Sequence, residues 1–138
     1  MKTNLIKPIL AITLLVLMLS ACATPTPEPQ LEGTTWELVS MGDQLPVPGT
    51  TITITFDEGQ LGGNSGCNSY GGAYEVEGDS FKPGELFSTM MYCEAEGVMD
   101  QEAAYLNFLS QVRSFSFIDG GLYMSQPDGS QLEFIPQQ

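Results

Sequence analysis

Histidine is absent from the 138 residues, and positive charge is scarce, with four Lys and Arg set against 17 Asp and Glu for a formal charge of −13. Lacking an imidazole, the chain offers no Ser-His or Cys-His nucleophile pair, no histidine general base and no His-containing zinc site. The shortage of Lys and Arg excludes nucleic acid as a partner, because affinity for phosphate backbones comes from cations that neutralise them. Oxygen ligands at Asp57, Glu58 and Asp119 are not spaced like a calcium-binding EF-hand loop. These absences leave a binding or structural role without a cofactor, and no enzymatic activity is expected.

The longest apolar run, Ile9 to Leu19, is interrupted only by Thr13. It falls short of the roughly 20 residues that span a bilayer. Lys2 and Lys7 before it give the charged head and short apolar body of an export signal. Leu19-Ser20-Ala21-Cys22 then resembles a bacterial lipobox. In such a site, small residues before the cysteine admit the peptidase and the thiol takes a diacylglyceryl group. The expected organisation is a signal peptide over 1–21, a lipidated Cys22 opening a linker over 22–30, and one folded domain over 31–138. Removing the leader would leave Lys82 and Arg113 against 17 acids, a net of −15. With each buried acyl methylene contributing about 0.8 kcal/mol, two or three chains on Cys22 would hold the protein at a membrane without a spanning helix. Ala23 rather than Asp follows the cysteine, which by resemblance to Gram-negative sorting rules points to the periplasmic side of the outer membrane. Pro25, Pro27 and Pro29 alternate through the linker, favouring an extended spacer of about 3 Å per residue.

Period-2 hydrophobicity dominates the rest. Thr34–Ser40 carries Trp36 with Leu38 or Val39. Thr51–Asp57 alternates Ile52, Ile54 and Phe56 with threonines, and Gly72–Glu77 sets Tyr74 and Val76 against Glu75 and Glu77. Ser114–Ile118, Gly121–Ser125 and Gln131–Ile135, separated by Asp119-Gly120 and Pro127-Asp128-Gly129, predict a three-stranded meander. Glu96–Arg113 breaks the pattern. Val98, Ala103, Tyr105, Leu106, Phe108, Leu109 and Val112 recur at intervals that suit a helix, with acids at its start and Arg113 at its end. The predicted fold is mainly β with one packed helix (α+β), a small antiparallel curved sheet or barrel of about seven to eight strands. The acids Glu75, Glu77 and Asp79 could supply a glycosidase-like pair, but strand alternation places them on a solvent face.

Residues 62–74 hold five glycines, Gly62, Gly63, Gly66, Gly71 and Gly72. No Gly-Lys-Ser/Thr ending makes the stretch a phosphate loop, and no histidine is present to activate Ser65 as a nucleophile. It reads as a tight irregular connection between strands. Cys67 and Cys93, 26 positions apart, suit a structural disulfide in an exported chain, one contributing about 3–4 kcal/mol. Two alternatives are free thiols and a soft-metal site in which Met90 and Met91 join Cys93 around Cu(I). Otherwise Met90 and Met91 are expected to fill the core.

Trp36-Glu37-Leu38, Gly66-Cys67-Asn68 with Gly72-Ala73-Tyr74, the run Leu86 to Cys93 containing Ser88-Thr89-Met90, the helix with Tyr105 and Leu109, and the closing Gly121-Leu122-Tyr123-Met124 and Leu132-Glu133-Phe134 resemble, in order, a META domain of the HslJ type. The resemblance implies a compact β-rich fold found in bacterial envelope lipoproteins linked to stress and in secreted or motility-associated proteins, with no established catalytic residue. It also supports pairing Cys67 with Cys93. The expected function is thus that of a lipid-anchored envelope protein whose META domain binds or stabilises a partner. Its acidic surface would suit a basic protein, a C-type lysozyme being one such enzyme it could inhibit. A hollow interior would point instead to a carrier of lipid or a small ligand.

Overall fold

A computed structural model describes residues 30–137. Nine strands and one helix follow in the order β1 (Thr34–Met41), β2 (Thr53–Asp57), β3 (Gln60–Asn64), β4 (Ser69–Glu77), β5 (Ser80–Pro83), β6 (Phe87–Ser88), α1 (Val98–Ser110), β7 (Ser114–Ile118), β8 (Gly121–Ser125) and β9 (Gln131–Pro136). All pairings are antiparallel, in the order β3-β2-β1-β9-β8-β7-β5-β4-β6. An additional β3–β4 ladder, Gln60↔Ala73 to Asn64↔Ser69, brings the two ends together. The sheet therefore curls on itself without becoming a regular barrel. Its β5–β7 seam has one register pair, Ser80↔Ser114, flanked by the Phe81 N–H bond to the Arg113 carbonyl and the Phe115 N–H bond to the Asp79 carbonyl. Curling is a general way for short strands to avoid open edges.

Tyr70 pairs with Gly63 of β3 and with Ser88 of β6, so the two strands flank β4 on opposite edges. The short β6 lies outside the closed circuit, with β4 its only strand partner among the described residues.

The alternation read from the sequence decides which side chains enter. Ile54 and Phe56 of β2 and Ile52 just before it are completely buried, while Trp36 and Leu38 enter from β1 and Val39 is only half-buried. Aromatic rings fill the interior. Phe56 meets Tyr74 and Phe81 edge-on, with ring centroids 5.3 and 6.1 Å apart, spacings at which such pairs add stability beyond area burial. Leu122, Met124, Leu132 and Phe134 of the C-terminal meander close the other side.

Helix α1 begins after Gly97, whose φ of 79° is a left-handed conformation that glycine adopts readily. Val98, Gln101, Glu102, Tyr105 and Leu109 form its buried stripe, whereas Ala103 of the predicted apolar face is exposed. Arg113 lies beyond the helix and donates to the carbonyls of Ser110 (3.1 Å) and Val112 (2.6 Å), satisfying acceptors that the helix end leaves open. The helical pattern overruns both ends by two or three residues, since Val112 continues the spacing and is buried although it follows the helix.

The glycine-rich stretch is a correction. Rather than an irregular connection, it is two paired strands, with Gly62 and Gly63 in β3, Gly71 and Gly72 in β4, and only 65–68 as the turn. A Cβ on Gly63 would sit 2.1 Å from the Thr53 carbonyl oxygen, which is fixed backbone of the adjoining chain and also accepts from the Tyr70 hydroxyl at 2.9 Å. Close approach, not turn chemistry, requires glycine here. Gly63→Ala is expected to cost about 2–3 kcal/mol through overpacking, measured as a lower urea midpoint with an unchanged slope. A midpoint equal to that of the parent would show that the two chain segments can separate freely.

Candidate functional site

The turn at 65–68 is bound from below by a buried carboxylate. Glu102, on the inner stripe of α1, accepts from the Ser65 hydroxyl (2.6 Å) and the Asn68 backbone N–H (2.7 Å) through Oε2, and from the Asn68 side-chain amide (2.7 Å) through Oε1. Ser65, Asn68 and Glu102 are all buried. Burial raises the carboxyl's affinity for its proton. The bonds from Ser65 and Asn68 oppose that effect and prevail, holding Glu102 below the usual carboxylate range. Nothing in the sequence distinguishes this acid from Glu94, Glu96 and Asp100, with which it reads as part of an acidic helix start.

Asn68 also faces the other way. Its side-chain oxygen accepts from the Thr89 hydroxyl (2.8 Å) and the Met91 N–H (2.7 Å), and its amide donates to the Met91 carbonyl (3.1 Å). A neighbouring bond from the Thr89 N–H to the Ser69 carbonyl (2.9 Å) continues the β4–β6 pairing. Cys67 and Cys93 are joined in a disulfide with Cα atoms 6.0 Å apart. The segment from 84 to 97 is thus pinned at β6, at Asn68 and at Cys67. Gly72 assists, since a Cβ there would meet the Glu85 carbonyl oxygen at 2.7 Å.

The outer face of this clamped segment is apolar. Met90 is 97% exposed, Tyr92 79%, Phe87 70% and Met91 59%. The expectation that Met90 and Met91 fill the core is therefore wrong. The Met91 backbone is held by Asn68 and the disulfide follows two residues on, and with the segment fixed there both methionine side chains point outward. The disulfide also consumes the sulfur that a Cu(I) site at Cys93, Met90 and Met91 would use, and the methionine beside Cys93 is Met99, whose Sδ lies 3.5 Å from the Cys93 nitrogen. Among the described residues no group of three or more His, Cys, Asp or Glu is arranged to hold a metal ion.

The remaining sequence candidates do not converge on this segment. Glu75, Glu77 and Asp79 lie exposed along β4 and the turn to β5, with Glu75 3.4 Å from Lys82. Asp57, Glu58 and Asp119 are exposed in two separate hairpin turns. Cys22, the leader and the linker up to residue 29 lie outside the described residues, among which no helix is long and apolar enough to cross a membrane.

A concave feature of about 430 Å³ lies at the domain's N-terminal edge between Leu31, Tyr74, Val76 and Phe115. At its rim the Tyr74 hydroxyl donates to Glu32 Oε2 at 2.7 Å. That bond, with another from the Glu58 N–H, lowers the Glu32 carboxyl, while partial burial and the same carboxylate raise the Tyr74 hydroxyl. The Tyr74 hydroxyl and the Glu32 carboxylate are thus engaged with each other.

The architecture has solved counterparts. The chain is similar to a protein from Burkholderia xenovorans determined by NMR, with a TM-score of 0.67, 26% identity, and 82% of this chain and 92% of that one covered. A second NMR structure gives a TM-score of 0.63 at 17% identity, covering 77% and 91%. A crystal structure of a DUF4847-family protein from Bacteroides vulgatus gives 0.54 at 12% identity, covering 76% and 93%. The last two are likenesses of fold alone. No curated protein matches the chain. The META domain family model matches residues 29–138, spanning every strand and the helix described above, and the chain belongs to the META domain family.

Proposed function

We propose that this protein is a lipid-anchored META-domain protein of the bacterial cell envelope that acts as a non-catalytic protein-binding module. One observation carries the binding role. The interior is filled by the side chains of Phe56, Phe81, Tyr105 and Phe134, each no more than 1% exposed, while large apolar side chains gather outside on a segment held by a disulfide and by Asn68. A filled interior leaves no cavity inside the curled sheet of the kind a lipid or small-ligand carrier would use. Exposed apolar side chains on a rigid frame are instead what a protein contact requires.

Anchoring rests on the sequence, on Cys22 after Leu19-Ser20-Ala21 and on the proline-rich stretch beyond it. The domain supports it indirectly, since a disulfide is at home in an exported chain. Cys22→Ala should move the protein from the membrane pellet to the soluble fraction, because the acyl chains supply the membrane affinity. Fractionation and immunoblotting test this, and a variant that still sediments with membranes would overturn the anchoring.

A further inference from the structure

A surface and a partner chemistry can be assigned to the proposed binding role, and both rest on that role. The four side chains Phe87, Met90, Met91 and Tyr92 lie within six consecutive residues, yet their backbone is held from three directions. Apolar side chains displayed in water gain nothing for folding, so the domain's own stability does not explain why Phe87, Met90, Met91 and Tyr92 are held outward on a constrained backbone. Preorganisation lowers the ordering cost of association. Aromatic residues and methionine are also the types enriched at contact centres.

Charge selects among the possible occupants. The stretch 84–97 carries Glu85, Glu94 and Glu96, all exposed, and no Lys or Arg, and exposed Asp100 follows in the first turn of α1. The two cations of the described domain are engaged elsewhere, Lys82 with Glu75 and Arg113 with the carbonyls after α1. A second copy would oppose these carboxylates with identical ones, and an anionic lipid surface would repel them likewise. A cationic protein meets both features at once.

We propose that the 84–97 segment is a docking surface for a cationic protein, which covers Phe87, Met90, Met91 and Tyr92 with an apolar face bordered by lysines or arginines that meet Glu85, Glu94 and Glu96. The apolar centre supplies affinity and the acidic rim supplies encounter rate and discrimination.

The full chain, purified from membranes in non-ionic detergent, is titrated with a fluorescent amphipathic helical peptide of Leu and Lys and with its Leu and Glu counterpart. Saturable binding is expected for the Lys peptide only, weakening about tenfold when salt is raised through the screening range. Combined Met90→Ala and Tyr92→Ala should weaken it about thirtyfold, whereas Ile135→Ala, an exposed position on β9, should leave it unchanged. Unaltered circular dichroism confirms that the variants are folded. Several results would overturn the proposal. These are no binding of the Lys peptide up to about 1 mM, equal binding of the Glu peptide, stronger binding to phosphatidylglycerol vesicles than to the peptide, or self-association that disappears in the double variant. Saturable binding that survives the double variant would overturn this surface while leaving the protein-binding role standing.

Discussion

Replacing Glu102 by Ala should lower the unfolding free energy by about 3–4 kcal/mol, among the largest effects of any single side chain here. Three donors, the Ser65 hydroxyl and the Asn68 backbone and side-chain N–H groups, converge on this one carboxylate within 2.6–2.7 Å. Bonds to a charged acceptor contribute about 1.5–3 kcal/mol each, and a buried donor left without one costs about 1–3 kcal/mol. Their plain sum overstates the effect, because the donors share one acceptor and relax together. Glu102→Gln is informative because it keeps the shape and one acceptor while turning an amide toward groups that are themselves donors. It should recover part of the loss and no more.

The same network makes stability depend on pH. The carboxyl of Glu102 is lower in the folded chain than its ordinary value. Its contribution is therefore fully present above the unfolded value and is lost as pH falls through the folded one. Urea unfolding of the parent should show an acid limb in this range, and the same series with Glu102→Gln should show a shallower one. Equal midpoints and equal acid limbs would mean that the bonds to Ser65 and Asn68 contribute nothing net.

Legibility in the sequence depends on which forces leave a periodic trace. Ile52, Ile54 and Phe56 announce a strand because burial on one face repeats every second residue. The meander of β7, β8 and β9 is legible for the same reason, and because Asp119-Gly120 is turn chemistry. The strand β3 leaves no such trace. Gly63 occupies it because the Thr53 carbonyl passes too near for a side chain, and a Cβ on Gly62 would lie 3.1 Å from the Tyr70 carbonyl oxygen; both approaches are properties of the folded sheet. The two residues of β6 are placed by Tyr70 and Gly71 across the ladder, not by their own pattern. Composition alone assigns Met90 and Met91 inward, and a long-range clamp decides otherwise. Cysteine usage, by contrast, is a sparse signal with few readings, and Cys67 and Cys93 lie together. Glu102 shows the limit most plainly. Its role depends on three groups 34 to 37 positions away, and sequence reasoning without a register for the turn has no means to bring them together.

Removal of the disulfide, by Cys67→Ser with Cys93→Ser, should also lower stability by about 3–4 kcal/mol, and it tests how the exposed segment is held. Most of the effect belongs to the unfolded chain, which regains the freedom of a loop closed over a separation of 26 residues. For a domain of this size that is a large part of the net stability, so the thermal midpoint should fall by more than ten degrees, about 4–8 °C for each kcal/mol. Locally the loss should be uneven. Asn68 continues to accept from the Met91 N–H and to donate to its carbonyl without help from sulfur, and Glu102 continues to hold Asn68. The Met91 amide is therefore expected to remain protected from hydrogen exchange in the folded double-serine variant, while the amide at position 93, which donates to Met99 Sδ, exchanges faster. Loss of protection at Met91 equal to that at position 93 would show that the disulfide alone positions the segment. Retained protection would assign its geometry to the Glu102–Asn68 relay, with the disulfide acting chiefly on the unfolded state. On that basis the double-serine variant, kept well below its midpoint, should still present Met90 and Tyr92 in their native setting.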